Sequence, residues 1–155
     1  WRVGSLVGNR EVIARYSRLK PNVDSGIFGA LQDGAIVALT EEYDFPKKMS
    51  KIYEVRRNLV VNRLKNLGLD IKPQMATPFI WCKTPKQLAS TTFTDKVLDL
   101  TGVVLSPGSA FGSAGEGYFR IALMTKDDLL EEAMDRTRTS AVSYGRRDPP
   151  VAGNG

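Results

Sequence analysis

The chain has 155 residues, of which 42% are hydrophobic and 25% charged, a composition suited to one ordinary globular core. It contains no histidine and a single cysteine, Cys82, which excludes an intrachain disulfide, histidine-dependent catalysis and a structural zinc site. The net charge of +5 arises in residues 1–75, where basic and acidic residues are interleaved, so we expect a solvated surface and no nucleic-acid partner. We also expect no transition metal, no membrane span and a cytoplasmic location.

The first twenty residues predict a strand followed by a helix. Residues 1–8 are bulky and β-branched and end at a glycine, which is typical of a strand. Asn9 is a good N-cap for a helix through about Lys20, and Pro21 would end that helix. A strand that starts at residue 1, without an initiator methionine, suggests that the chain derives from a longer parent.

Two further helices are predicted in the first half of the chain. One would open at Ser25 or Gly26 and run to about Leu39, with a wide apolar face that indicates burial. The longest would run over about 46–67, where one apolar stripe lies among many cations, and Gly68 would be its C-cap. A helix of this kind is commonly a connector between two lobes.

The second half changes to short strands and short helices. Strands are predicted at 69–72, 79–83, 103–105 and 118–124, and helices at about 92–100 and 127–138. This alternation predicts an α+β lobe with an antiparallel sheet. The residues after about 140 lack any period and are expected to be disordered.

Arg120 is the most informative residue of the second half. It stands in mid-strand on one face with Tyr118 and Ala122, while Phe119 and Ile121 point the other way. An enclosed guanidinium would need a carboxylate from the protein or from a ligand, in the bidentate geometry that arginine favours. A solvated strand face explains the same pattern, so periodicity alone leaves both interpretations open.

The loop before this strand contains four glycines, at 108, 112, 115 and 117. Glycine is useful where the backbone must come close to a ligand, so the loop could sit against a small molecule. A long flexible hairpin would have the same composition. The loop is not a phosphate-binding P-loop, because it has no Gly-Lys-Ser/Thr ending before a helix.

Several segments together resemble the C-terminal portion of a class I/II, fold-type-I pyridoxal-phosphate-dependent aminotransferase, nearest the branch of LL-diaminopimelate and alanine-type enzymes. The resemblance covers about residues 1–138, and its signatures fall in the family's order. It is carried by Trp1-Arg2-Val3-Gly4, Val7-Gly8-Asn9, the turn from Asn22 to Phe28, the segment Tyr53 to Arg57, the loop Pro107 to Gly112 and the strand Gly117 to Leu123.

The resemblance implies pyridoxal 5'-phosphate as the cofactor. In this family the lysine that forms the Schiff base with the coenzyme lies on a Ser-x-x-Lys segment before a Gly-x-Arg-x-Gly stretch, whose arginine binds the coenzyme phosphate. Arg2 and Gly4 match the end of that stretch, so Arg2 is the implied cofactor-binding residue. The lysine would fall before Trp1, so no catalytic residue is assigned and we expect this chain alone to be inactive.

Two substrate-binding residues are also implied by the resemblance. Arg120 matches the arginine that binds the substrate carboxylate in the family. Asn22 matches a turn that approaches the partner subunit's site in relatives, although Pro21 departs from the small polar residue usual there. The implied partners are an amino acid, a 2-oxo acid and a second copy of the intact enzyme.

The implied fold class is α/β, with four segments. Residues 1–45 would be the end of the large coenzyme-binding domain, 46–68 the connecting helix, 69–139 a small α+β domain, and 140–155 a disordered tail. The implied activity is transfer of an amino group between an amino acid and a 2-oxo acid. A non-catalytic module that binds small carboxylates remains the alternative, and the helices of the first segment are expected to expose apolar surface.

Overall fold

The computed structural model describes residues 3–72, 74–85 and 88–140. These residues form five α-helices and a three-stranded antiparallel sheet, which confirms the predicted α/β class. The chain divides into two compact units, Trp1–Lys48 and Met49–Gly155. No helix in the described ranges is long and apolar enough to cross a bilayer. The predicted disorder of the tail concerns residues that, from 141 onward, lie outside the described part.

The first unit begins with helix α1, Arg10–Leu19. Its cap is the predicted one, because the side-chain oxygen of Asn9 accepts hydrogen bonds from the backbone N–H of Glu11 (2.9 Å) and Val12 (3.3 Å). These bonds satisfy two of the donors that a helix N-terminus leaves without partners. A single 3-10 turn, Lys20–Asn22, follows directly.

Helix α2, Gly29–Thr40, starts later than predicted. The expected opening at Ser25 or Gly26 is wrong because Gly26 has a φ of +97° and Phe28 is extended, so the chain is not helical before Gly29. The predicted burial of this helix is also wrong, because none of its residues is buried. The strand predicted over 1–8 is absent from the described residues 3–8, which pair with no other strand.

Helix α3, Phe45–Asn66, is the long helix that the sequence predicts. It ends as expected at Gly68, which has a φ of +92° and donates its N–H to the carbonyl of Lys65 at 2.9 Å. The C-terminal half of the helix contributes three side chains to the core of the second unit, those of Val60, Val61 and Leu64.

The sheet of the second unit contains strands β1, Phe79–Lys83, β2, Ser106–Pro107, and β3, Tyr118–Ala122. The order is β1-β3-β2, and both pairings are antiparallel, as the sequence predicts. The central strand is therefore the one that contains Arg120. Because β1 and β3 alternate between buried and half-buried side chains, the sheet has one face on the core and one face turned away from it.

Helices α4, Ser90–Thr101, and α5, Asp127–Thr139, complete the second unit. Gly102, with a φ of +69°, ends α4. The core joins these helices to the sheet and to α3 through Ile80, Cys82, Phe93, Val97, Phe119, Ile121, Leu123, Leu130 and Met134.

Two predicted strands do not form. Residues 69–72 belong to no sheet, although Leu69 and Ile71 are buried. Residues 103–105 are likewise outside the sheet, and the short strand β2 begins just after them. In both segments the alternating apolar residues indicate burial. A strand also needs a hydrogen-bonding neighbour, which the described residues do not provide.

Candidate functional site

Arg120 occupies the middle of the central strand. In the register of the sheet it lies opposite Trp81 of β1 and opposite Ser106 of β2. Its strand neighbours Phe119 and Ile121 point into the core, as the period of two predicts. Arg120 itself is half-buried on the other face, so the interpretation of a fully solvated arginine does not hold.

Two aromatic rings enclose the guanidinium of Arg120. Its Cζ atom lies 4.2 Å from the ring centroid of Phe79 and 4.3 Å from that of Phe111. Both distances fall within the range of a cation–π interaction. Trp81 continues the aromatic surface, with its ring 5.6 Å from Phe111 and 5.7 Å from Tyr118. The rings remove water from the flanks of the cation without neutralising its charge.

The guanidinium lacks an acidic partner among the described residues. The Nε atom of Arg120 is buried and has no hydrogen-bond acceptor there. Such a group is costly, because a buried donor that loses water and gains no acceptor sacrifices about 1–3 kcal/mol. A carboxylate from outside these residues would satisfy this donor and pair with the charge.

Arg56 provides the contrast within the same unit. Its Nε atom donates to Asp127 at 2.5 Å, its Nη1 atom donates to the carbonyl of Leu123 at 3.0 Å, and it lies over the ring of Tyr53 at 5.8 Å. Arg56 is thus paired with a carboxylate and a carbonyl of the protein itself. Arg120 has aromatic contacts but no carboxylate from the described residues, which makes it the candidate ligand-binding arginine of this unit.

The glycine-rich loop before β3 holds Phe111 in this position. It consists of two short 3-10 turns, Gly108–Phe111 and Ser113–Gly115. A β-carbon on either Gly108 or Gly115 would lie 2.0 Å from the carbonyl oxygen of the other, so the two ends of the loop are in backbone contact. Gly108 and Gly115 thus allow two stretches of backbone to come into contact. The long flexible hairpin considered from the sequence does not form.

Asn22 and Arg2 are the other two residues implied by the resemblance. Asn22 ends the 3-10 turn of the first unit, is exposed, and donates its side-chain N–H to the carbonyl of Arg18 at 3.1 Å. This bond fixes its amide locally and leaves its side-chain oxygen available. Arg2 lies outside the described residues, so its predicted role in coenzyme binding remains a prediction.

The described residues contain no cluster of three or more metal-ligating side chains. Cys82 is buried, and desolvation raises the pKa of its thiol to about 12, which removes it as a nucleophile at neutral pH. Arg120 is thus the strongest candidate for an anion site in the described part of the second unit.

Comparison with known proteins agrees with this fold and site. The family model described as Aminotransferase class I and II matches residues 1–136, and the chain belongs to this family. The predicted resemblance is therefore confirmed.

Individual proteins show how far this similarity extends. The chain is 46% identical over 136 residues to LL-diaminopimelate aminotransferase of Maridesulfovibrio salexigens, covering 88% of this chain and 35% of that protein. It is 42% identical over 144 residues to the enzyme of the same name from Halothermothrix orenii, covering 93% and 37%. A solved aminotransferase structure from Staphylococcus aureus matches with a TM-score of 0.78 and 31% identity over 84% of this chain and 35% of its own. The chain spans about a third of the length of these curated relatives.

Sequence reasoning did not identify the aromatic partners of Arg120. The alternation in β1 places Phe79 and Trp81 on one face, which a sequence shows, but only the register of the sheet brings them to Arg120. Phe111 reaches the guanidinium through the folded loop, which has no periodic signal at all.

Proposed function

We propose that this chain forms the substrate-carboxylate part of a pyridoxal-phosphate-dependent aminotransferase, which moves an amino group between an amino acid and a 2-oxo acid. The observation that carries the proposal is the half-buried guanidinium of Arg120, which has two aromatic flanks, a buried Nε without an acceptor and no carboxylate from the described residues. Membership of the aminotransferase family supports it.

The role proposed for Arg120 is to bind the carboxylate that both substrates share. An amino acid and the corresponding 2-oxo acid differ at the reacting carbon but present the same carboxylate, so one arginine serves both half-reactions. A planar guanidinium binds a carboxylate through two parallel N–H donors, which fixes orientation as well as position. Phe79 and Phe111 strengthen this contact by excluding water from the faces of the guanidinium.

Pyridoxal phosphate would supply the electron sink for the carbon whose bonds change. The donors present in the described residues suit the substrate carboxylate, whereas the coenzyme phosphate is assigned to Arg2 by resemblance alone. We propose Asn22 as a contact near the partner subunit's site in a homodimer, supported by its exposed side-chain oxygen.

The proposed domain correspondence follows the four segments expected from the sequence: 1–45 belongs to the large domain, 46–68 connects, 69–139 is the small domain, and 140–155 is a tail. A cytoplasmic location accompanies the proposal. LL-diaminopimelate is the amino donor best supported by relatives, which are 42–47% identical to this chain over most of its length. Turnover of this donor by the purified 155-residue chain with added pyridoxal phosphate would contradict the expectation that the chain alone is inactive.

The decisive experiment is a titration of the chain with 2-oxoglutarate, followed by ligand-observed NMR because the expected affinity is weak. Replacing Arg120 by Gln should weaken binding about tenfold to a hundredfold, since a charge-assisted hydrogen bond contributes about 1.5–3 kcal/mol. The affinity of Arg120→Lys should lie between those of Arg120→Gln and the unmodified chain, because lysine keeps the charge but loses the paired donors. Arg138→Gln, at an exposed position, is the matched control.

The neutral dimethyl ester of 2-oxoglutarate tests whether the charge is recognised. It should not bind, because the proposal rests on the carboxylate. Equal binding by Arg120→Gln and the unmodified chain would refute the proposed role of Arg120.

A further inference from the structure

Glu116 joins the loop before β3 to the N-terminus of α4. Its Oε1 atom accepts hydrogen bonds from the backbone N–H of Ser90 (2.7 Å) and of Gly117 (3.1 Å), and its Oε2 atom lies 3.0 Å from the hydroxyl of Ser90. Ser90 is completely buried and is the first residue of α4. The helix has no side-chain cap of its own, so a carboxylate from a distant part of the chain takes that place.

The hydroxyl of Ser90 extends this connection into the loop. It lies 2.9 Å from the hydroxyl of Ser109 and accepts the backbone N–H of Ser109 at 3.3 Å. Because the carboxylate of Glu116 can only accept, Ser90 donates its one proton to Glu116, and Ser109 must then donate to Ser90. The loop is consequently held at both ends, by Ser109 after Gly108 and by Glu116 after Gly115.

Phe111 lies between these two attachments. Its ring packs on the guanidinium of Arg120 and in a T-shaped arrangement with Trp81, yet half of its surface is exposed, so its own packing fixes it only in part. The position of the ring must therefore depend on the loop. We propose that Glu116 is a positioning residue for carboxylate binding: it holds the loop 108–117 on α4 and thereby keeps Phe111 against the guanidinium of Arg120.

This inference rests on the proposed function of Arg120, but part of its test is independent of any ligand. The chain has two tryptophans, Trp1 and Trp81, so the substitution Trp1→Phe leaves Trp81 as the only reporter. In that background, Glu116→Ala should shift the emission of Trp81 to longer wavelength, because Phe111 leaves the indole. Glu131→Ala removes the same charge from an exposed site on α5 and should leave the emission unchanged.

The ligand-dependent part is a double-mutant cycle with 2-oxoglutarate as the probe. Glu116→Ala and Phe111→Ala should each weaken binding by about the same factor, on the order of fivefold to tenfold. The double variant should be no weaker than either single variant, since both remove the same ring from Arg120. Losses that multiply would show that Glu116 acts by another route and would overturn the proposal.

Ser109→Ala provides a milder variant in case Glu116→Ala fails to fold. It removes one hydroxyl from the network and should give a smaller shift of Trp81 emission and a smaller loss of binding, in the same direction. Glu116→Asp should restore part of both signals, because its carboxylate can still accept from the N-terminus of α4. If the unmodified chain binds 2-oxoglutarate and Glu116→Ala binds it equally well, the positioning role fails while the proposed function stands. If the unmodified chain does not bind, the proposed function fails and the positioning role with it.

Discussion

Gly108 and Gly115 are in direct backbone contact, each occupying the space where a side chain of the other would begin. A β-carbon on Gly108 would lie 2.0 Å from the carbonyl oxygen of Gly115 and 2.7 Å from that of Tyr118. Neither atom belongs to a flexible side chain that could move aside. The contact closes the loop that carries Phe111, so the proposed anion site depends on the absence of two side chains.

Gly108→Ala should therefore destabilise the second unit. Overpacking against backbone costs about 1–3 kcal/mol, and we expect the upper end of this range because main chain must shift. The measurement is urea unfolding followed by the fluorescence of Trp81 in the Trp1→Phe background. Gly29→Ala, where a β-carbon meets nothing within 4 Å, should change the free energy of unfolding by less than about 0.5 kcal/mol. Equal effects of the two substitutions would contradict the close contact.

The sequence predicted those parts of the fold that depend on local periodicity. The alternation along 118–122 and the apolar stripe of α3 each determine an element and its buried face. The strand predicted at 69–72, which does not form, shows where local periodicity is not enough to predict an element. Leu69 and Ile71 are buried as an alternating pattern predicts, but hydrogen bonding to a neighbouring strand is a long-range property that no local pattern contains.

The candidate site was predictable to the same extent. A period of two and a family motif identified Arg120, whereas its environment depends on which residues the fold brings beside it. Trp81 is 39 positions away along the chain and lies opposite only through the register of β1 and β3. Ser90 donates to Glu116, which is 26 positions away along the chain. The sequence of α4 lacks a capping side chain but does not indicate which distant residue supplies the acceptor.

Glu116 should make part of the stability depend on acidic pH. Hydrogen bonds from the backbone N–H and the hydroxyl of Ser90, and from the backbone of Gly117, lower the pKa of Glu116 below its ordinary value of 4.5. A lowered folded-state pKa means that the contribution is fully present above the unfolded-state pKa and is lost as the pH falls through the folded-state pKa. The melting temperature of Glu116→Gln should thus lie below that of the unmodified chain at pH 7, and the difference should narrow towards pH 3.

Glu54 and Asp24 also have a lowered pKa, owing chiefly to hydrogen bonds from Lys51 and Lys20. Both remain in the variant, so their contributions cancel in the comparison. Glu131→Gln, which removes an exposed carboxylate, should follow the unmodified chain at every pH. The contrary result is a difference in melting temperature between Glu116→Gln and the unmodified chain that stays constant from pH 7 to pH 3. That result would show that the pKa of Glu116 does not change on folding.

Cys82 should report unfolding of the second unit. The thiol is 2% exposed in β1, and desolvation raises its pKa to about 12, so both access and ionisation oppose reaction. At pH 8 the folded chain should react with a disulfide reagent on the order of a thousandfold more slowly than the denatured chain. Transfer of the only thiol to an exposed position, by Cys82→Ala with Ser5→Cys, should restore fast reaction.

The first unit should bind an apolar dye, because it exposes side chains that a folded protein normally covers. None of the described residues up to position 48 is buried, and five large apolar side chains are 71–90% exposed: Val7, Val23, Phe28, Leu39 and Tyr43. Exposed apolar surface promotes association. The full chain should therefore bind anilinonaphthalene sulfonate and self-associate at micromolar concentration.

A chain that starts at Met49 separates the two units in this test, because it retains the core from Val60 to Met134. It should bind much less dye and stay monodisperse at concentrations where the full chain aggregates. In the full chain with Trp1→Phe, Phe28→Ser with Leu39→Ser should reduce the dye signal while the urea midpoint read at Trp81 stays unchanged. Equal dye binding by the shortened and full chains would assign the apolar surface to the second unit instead.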